Sequence, residues 1–588
     1  MPLSALVKKR KIPGALLLVF FLFALCNPAM AKLNVDVKIE GVKGELKKNV
    51  QKLLSVEQQK NAPEFDENTL QALYKQAPGE IINALAPFGY YTPDVKSSLI
   101  KKDDKWTATF NINPGPPVIV SELNFQLTGE GKDLKAFRDI EDKFSLKKGS
   151  ILDQRVYEAA KKELQETAAG EGFFKADITE HRIEVFPDKH QARIFLHFDT
   201  GPQFKFGKLT YKQKFLSQKL LDRFVFFRQG EPFKVEKILG LQSALTQTGY
   251  FEDVQVTPRQ NEATGLEVPV DVILTPAKRY KLTLGAGYGT DTGIRGSLDL
   301  MDNWINRRGH KAELTLSASQ LSRNATAKYI VPGANPATDH LDYTAGFQTI
   351  QTNTYKAETI IAGVSYNRQL SKFWTQTLFL NFQREHFNVG TETANSRLII
   401  LGGTWTYRQV QEERFYGEGF RFIGTVRGAQ RLFLSDDDFA QMLLQPKFIQ
   451  GIGHTARVIL RADAGATAVT NFDKFPATLR FFAGGDNSIR GYSYQTLGPS
   501  DNLGNTIGGK FLLVTSAEYE HKIYGKWSAA VFYDGGNAFN NIPFHWYSGL
   551  GTGVRWLSPL GPIRVDFAWE AFEPGPRFHV HIIIGPEL

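Results

Sequence analysis

From about Tyr280 onward the chain alternates apolar and polar residues with a period of two, and this rhythm restricts its fold more than any other feature. Ile563, Val565, Phe567 and Trp569 alternate with Arg564, Asp566, Ala568 and Glu570. Phe578, Val580, Ile582 and Ile584 alternate with His579, His581 and Ile583, and Leu378, Leu380 and Phe382 with Thr377, Phe379, Asn381 and Gln383. Successive side chains on a strand point to opposite faces. An apolar face opposite a charged one, kept up over 309 residues, fits a barrel with lipid outside and a polar lumen inside. A soluble sandwich also alternates, but it does not sort so many charges to one face over so many strands.

The region divides into sixteen strand-like segments, from 280–289 to 577–586, an even number as single-chain bacterial barrels have. Residues 479–484 also look like a strand. Counting them makes seventeen and breaks the up-and-down order, so 468–508 reads as one long outer loop after the eleventh strand.

The address agrees with a barrel. Lys8, Lys9, Arg10 and Lys11 precede an apolar run from Ala15 to Leu25, and Ala29-Met30-Ala31 offers a cleavage site. Residues 1–31 are therefore expected to be a secretory signal peptide, too short in its apolar core to span a membrane as a helix. Cys26, the single cysteine, falls inside it, which leaves no disulfide or cysteine-bound metal in the exported part. Four of the charges behind the net +9 also leave with it, and there is no dense basic block interleaved with aromatics, so nucleic acid is not an expected partner. No later segment has the roughly 18–20 consecutive apolar residues of a spanning helix. Aromatic residues at 12% and 52 glycines suit an outer-membrane barrel.

Between leader and barrel a unit recurs three times, marked by Gly89-Tyr90-Tyr91, Gly172-Phe173-Phe174 and Gly249-Tyr250-Phe251, 83 and 77 residues apart. Each copy reads as strand, two helices, glycine–aromatic turn and two strands. In the third, Val235, Ile238, Leu241 and Leu245 give a helical apolar face, Gly249 stops the helix and Tyr250–Val256 follows as a strand. Any one such turn is an ordinary helix stop with a core aromatic; the repetition carries the information.

One arginine stands out. Arg490 lies in the glycine-rich stretch Phe481–Tyr494, between membrane-facing strands. A cation there is costly unless it faces water and has a partner, which points to a loop folded back into the barrel.

Ile489-Arg490-Gly491-Tyr492 resembles the [VI]-R-G-[FY] signature of the BamA/TamA-type POTRA-barrel superfamily, and Phe532-Tyr533-Asp534-Gly535-Gly536 resembles its F-x-D-x-G motif on the thirteenth strand. The β-α-α-β-β repeats look like POTRA domains. The resemblance implies α+β periplasmic repeats followed by an all-β transmembrane barrel, with loop six folded into the lumen and Arg490 pairing with Asp534. Alternation is consistent with that, since Trp527, Ala529, Val531 and Tyr533 then face lipid. It also implies these domains: 1–31 signal peptide, 32–115, 116–202 and 203–277 POTRA-like, and 278–588 a 16-stranded outer-membrane β-barrel with loop six at about 468–508. Three POTRA units resemble the TamA-type branch, rather than five-domain BamA or two-domain secretion pores with a plug helix.

By resemblance the chain is an assembly factor in the outer membrane of a Gram-negative bacterium, with its POTRA domains in the periplasm. Its partners would be unfolded outer-membrane protein clients, outer-membrane lipid and a TamB-like inner-membrane-anchored protein at the first POTRA domain. The expected lateral seam joins the first strand, with Gly285, Gly287 and Gly289, to the sixteenth, which ends at Gly585 and Pro586. Glycine offers no packing and proline no ladder donor, so the seam should be weak. For each glycine singly, tight packing is the plainer reading. The alternative function is a two-partner-type secretion pore for one exported protein.

No enzyme or cofactor is expected. Gly285-Ala286-Gly287-Tyr288-Gly289 looks like a dinucleotide loop but opens no helix. His579 and His581 share a strand face, yet without a third ligand at suitable spacing they read as polar lumen residues, and no metal is assigned.

Overall fold

The computed structural model describes residues 33–411, 418–558, 561–574 and 577–584. The expected signal peptide lies outside the described residues, as do Gly585 and Pro586. The chain divides into two compact units, the first built mainly of residues up to Lys205 and the second of most residues beyond it.

The first unit carries two small sheets. In one, β1 (Asn34–Glu40) runs parallel to β3 (Lys105–Asn113), which pairs antiparallel with β2 (Asp94–Lys102). Three helices, α1 (Gly44–Leu53), α2 (Ser55–Gln59) and α3 (Glu67–Leu85), replace the expected two. The extra turn arises because Leu54 leaves helical geometry at ψ 104° and the chain restarts at Ser55, whose N–H and hydroxyl both donate to Glu80. The Asp66 carboxylate caps α3 by accepting from the Thr69 N–H at 2.7 Å. The second sheet repeats the order with β4 (Ile119–Thr128), β6 (Gln191–Asp199) and β5 (Asp177–Phe186), under α4 (Lys135–Lys143) and α5 (Gln154–Gly170). Phe137, Phe173 and Phe198 fill its core. At Gly89, φ is +87° and a Cβ would meet the Leu152 carbonyl oxygen at 2.5 Å, so the recurring glycine is required by both backbone and space.

The second unit holds the third sheet, β7 (Lys205–Lys212), β9 (Glu267–Pro276) and β8 (Phe251–Pro258), with α6 (Gln218–Leu221) and α7 (Val235–Thr246). It also holds the barrel, and the two are joined. The Tyr250 hydroxyl donates to Gly309 O, the Ser217 N–H donates to Arg307 O at 2.8 Å, and the Lys311 ammonium donates to Thr248 O. The third domain is thus seated on the turn 303–310 between the second and third barrel strands.

Sixteen antiparallel strands, β10 (Tyr280–Gly289) to β25 (Phe578–Ile584), close in sequence order. Leu380 and Val531 point outward, about half exposed, while Glu385 and Asp534 are fully buried inside. The loop after β20 (Ala456–Val469) runs 470–510, two residues later than expected, and folds into the lumen. There the lumen departs from a polar lining: Phe475 and Leu479 pack on Leu398, Ile400 and Phe439, and Ala477 packs on Tyr355 and Phe387. Apolar side chains on the inner wall are buried by the loop rather than by lipid, so strict alternation is relaxed there.

Candidate functional site

The center of the lumen is an ion-pair network around Arg490. Five consecutive strands supply its acids and the cations that join Arg490: β20, β21 (Phe511–Tyr524), β22 (Trp527–Phe539), β23 (Tyr547–Ser558) and β24 (Gly561–Ala571). Period-two alternation puts Ser516, Glu518 and Glu520 of β21 on the inner face, with Phe532 and Asp534 beside them on β22; the register sets Ser516 opposite Asp534 and Glu518 opposite Phe532.

Arg490, 3% exposed, uses its whole donor fork. Nε donates to Asp534 Oδ2 at 2.7 Å and Nη2 to Asp534 Oδ1 at 3.0 Å, a bidentate pair, while the Arg490 backbone N–H donates to Oδ2 at 3.1 Å. Nη1 donates to Glu518 Oε2 at 2.6 Å and to Asp566 Oδ2 at 3.2 Å. The guanidinium plane lies 3.4 Å from the center of the Phe532 ring, a stacking only a planar cation makes.

Arg490 is not alone with Asp534. Arg555 donates to Glu518 at 2.8 Å and to Asp566 at 2.5 Å, Arg457 to Glu520 at 2.6 Å, and Arg461 lies 3.9 Å from Asp534. Four arginines thus face these four carboxylates, with Asp463 beside Arg461. Buried charges are tolerable only when so paired. The rest of the motif is anchored too: Ile489 is buried against Val514, the Gly491 N–H donates to His581 Nε2 at 3.0 Å, and the Tyr492 hydroxyl reaches Ser548 O at 3.4 Å.

A second arginine, Arg480, ties the base of the loop. It donates to the carbonyls of Phe475, Ile507, Phe472 and Asp473 at 2.9–3.1 Å and to Glu392 at 3.0 Å. Glu385 receives the Thr478 N–H and hydroxyl. Loop six is consequently fixed at its base and its tip.

The seam between β10 and β25 closes the barrel. Among the described residues only Tyr288 pairs with Ile584 and Gly289 with Ile583, whereas β10 pairs with β11 (Gly293–Asp302) at ten positions. Thr290 extends the seam, donating its N–H to Ile582 O at 2.9 Å and accepting the Ile582 N–H at 2.5 Å. Gly287 sits against the seam, since a Cβ there would approach Ile584 O at 2.8 Å. Gly285 stands opposite Ser297 of β11, and its β25 side lies outside the described residues. The antiparallel register explains this, because positions before Tyr288 can only face residues after Ile584.

His579 and His581 do not act as a pair. His581 is buried and its Nδ1 lies 2.6 Å from Asp486 Oδ1, while His579 turns to Glu570 at 3.8 Å. Asp291, Asp486 and His581 converge with their ligand atoms within 4.8 Å of one another.

Sequence reasoning missed Glu518, Glu520, Arg555, Arg480, Asp291 and Asp486. Two signals were available. Glu518-x-Glu520 is a pair of charges on one strand face, and Gly549-x-Gly551-x-Gly553 clears the inner face of β23 where a Cβ at Gly549 would overlap the Arg490 carbonyl oxygen.

Comparison with known proteins gives three family matches: an Omp85 superfamily domain over residues 305–582, a POTRA domain described as TamA domain 1 over 36–114, and a POTRA model described as surface antigen variable number repeat over 124–201. Outer membrane protein assembly factor BamA of Neisseria meningitidis is 21% identical over 502 residues, 73% of this chain and 62% of that protein. BamA of Nitratidesulfovibrio vulgaris is 23% identical over 363 residues, 58% of this chain and 45% of that protein. The chain therefore spans about half to three-fifths of the length of these relatives. The crystal structure of Haemophilus ducreyi BamA lacking POTRA domains 1–3 matches with TM-score 0.65 at 16% identity, covering 79% of this chain and 99% of that one.

Proposed function

Because this chain belongs to the BamA/TamA-type POTRA-barrel superfamily of outer-membrane proteins, we propose that it is a TamA-type assembly factor. In this reading it inserts β-barrel or autotransporter-type clients into the outer membrane through the β10/β25 seam. The observation that carries it is the run of alternate glycines, Gly285, Gly287 and Gly289, on the β10 strand that closes the barrel against β25. Each backbone hydrogen bond contributes about 0.5–1.5 kcal/mol net, so the two described pairs and the Thr290 contacts separate for a few kcal/mol. An opened β10 edge would leave N–H and C=O groups unpaired at membrane depth, where each costs several kcal/mol. A client strand that pairs with the edge removes that cost.

The network around Arg490 keeps loop six in place and the barrel in shape while the seam opens on the opposite side of β25. The domain boundaries at 32–115, 116–202 and 203–277 make each POTRA unit one sheet with its helices, and a leader at 1–31 goes with export. The first POTRA domain is the contact for a TamB-like partner, a reading supported by the match of residues 36–114 to a TamA first-domain model.

Locking the seam tests the function. Tyr288→Cys and Ile584→Cys place thiols on directly paired residues. Oxidised protein should lose client insertion and regain it on reduction. A locked protein that still inserts several unrelated clients sinks the gate, and export of one partner through the locked barrel would favor the secretion pore instead.

A further inference from the structure

Three segments far apart in sequence meet at the outer end of the seam. Asp291 sits in the turn between β10 and β11, Asp486 in loop six and His581 on β25. The Asp486 N–H donates to Asp291 Oδ2, and the Asp291 N–H approaches Asp486 Oδ2 at 3.4 Å. His581 accepts the Gly491 N–H on Nε2 at 3.0 Å, so its proton sits on Nδ1 and is donated to Asp486 Oδ1 at 2.6 Å. Both ring nitrogens are thus engaged, which makes the trio a hydrogen-bonded clasp rather than an open set of metal ligands.

We propose that Asp291, Asp486 and His581 form a proton-dependent latch that holds the β10/β25 seam closed against loop six. The latch rests on the reading of that seam as a gate. Its chemistry is that of two carboxylates in one small site, which pack together while one is protonated and repel once both are ionised. The three residues are positioning groups: they touch the two strands that must part and the loop that stays.

Burial, reinforced by the charge of Asp486, pushes the Asp291 carboxyl up, to about 7. A carboxyl raised in the folded state adds stability that is complete below its ordinary value near 3.9 and is lost as pH rises through the raised one. The latch therefore weakens on passing into mild alkali. Arg295 and Tyr494 line the same cavity as Asp291 and Asp486, Asp566 stands opposite His581 but is held by Arg490 and Arg555, and His579 turns to Glu570.

The test reads the seam without any client. Spin labels at Leu284→Cys and Ile584→Cys, both exposed, in a full-length Cys26→Ser background, report the β10–β25 separation by pulsed EPR. At about pH 6.5 one short distance is expected. By about pH 8.5 a longer population should grow, by up to tenfold per pH unit above the raised pKa. Asp291→Asn, which mimics the protonated acid, should stay short at both pH values. Where that variant assembles poorly, Asp486→Asn likewise leaves a single carboxylate in the site. A wild-type distribution that ignores pH, or an Asp291→Asn protein that responds like wild type, overturns the latch. The gate reading fails separately, through an active disulfide-locked seam.

Discussion

Replacing Arg490 by alanine is the sharpest perturbation of the lumen. It removes every direct contact of the guanidinium: the two-pronged pair with Asp534, the bonds to Glu518 and Asp566, and the stack on Phe532. Glu518 and Asp566 keep Arg555, so the loss concentrates on Asp534, which is fully buried and retains only the residue-490 backbone N–H at 3.1 Å and, among the described cations, Arg461 at 3.9 Å. Removing one partner of a buried ion pair costs about 3–5 kcal/mol because the other charge is stranded. Asp534→Ala alone should cost a similar amount, since Arg490 keeps two acids but loses its bidentate fit. The double variant strands neither charge, so its cost should fall short of the sum by about 2 kcal/mol or more. Urea unfolding in detergent micelles, followed by the band shift between folded and heated protein, gives the three values. A cost below about 1 kcal/mol for Arg490→Ala, or strict additivity in the double variant, would refute the claim that this pair fixes loop six.

Arg490→Lys keeps the charge but not the fork or the stacking, and should lose at least half of the stabilisation that alanine loses, measured by the same unfolding. Arg480→Ala should release the base of loop six while leaving the tip paired, seen as protease cleavage within residues 470–510 at a rate at least tenfold above wild type. Gly309→Ala should loosen the third domain from the barrel, because φ is +75° there and a Cβ would meet the Tyr250 hydroxyl at 2.8 Å; a destabilisation of about 1–3 kcal/mol in the unfolding of that domain is expected. In the third domain, hydrogen bonding from Lys212, then from Arg259, holds the Asp271 carboxyl below its ordinary value. A depressed carboxyl stabilises above its unfolded pKa, so that contribution should fade as pH drops through the usual carboxylate range and below, and Asp271→Asn should flatten the acid limb of the stability curve.

Much of the architecture was legible because it is local. Period-two alternation depends only on neighbors along a strand, so it placed Val531 outside and Asp534 inside and gave sixteen segments. Glycine with a positive φ at Gly89, Gly172 and Gly249 is likewise a local requirement, and it spaced the three repeats. The short α2 was not legible, because it depends on Glu80, 25 residues away, receiving Ser55. The apolar patch inside the lumen was hidden for the same kind of reason. Leu398 and Phe439 look lipid-facing or irregular until a loop from elsewhere covers them.

What the sequence determined by itself was the class of solvent on each strand face, the count of strands and the chemical types that had to meet in the lumen. What only the tertiary structure decided was which charges share one network and which residues of β10 and β25 meet. Alternation tells which face a side chain takes but neither its depth along the barrel nor its position around it; those depend on register and closure. Hence Glu518, Asp566 and Arg555 join Arg490 by the stagger of four neighboring strands, and Asp291 meets Asp486 across 195 residues of chain.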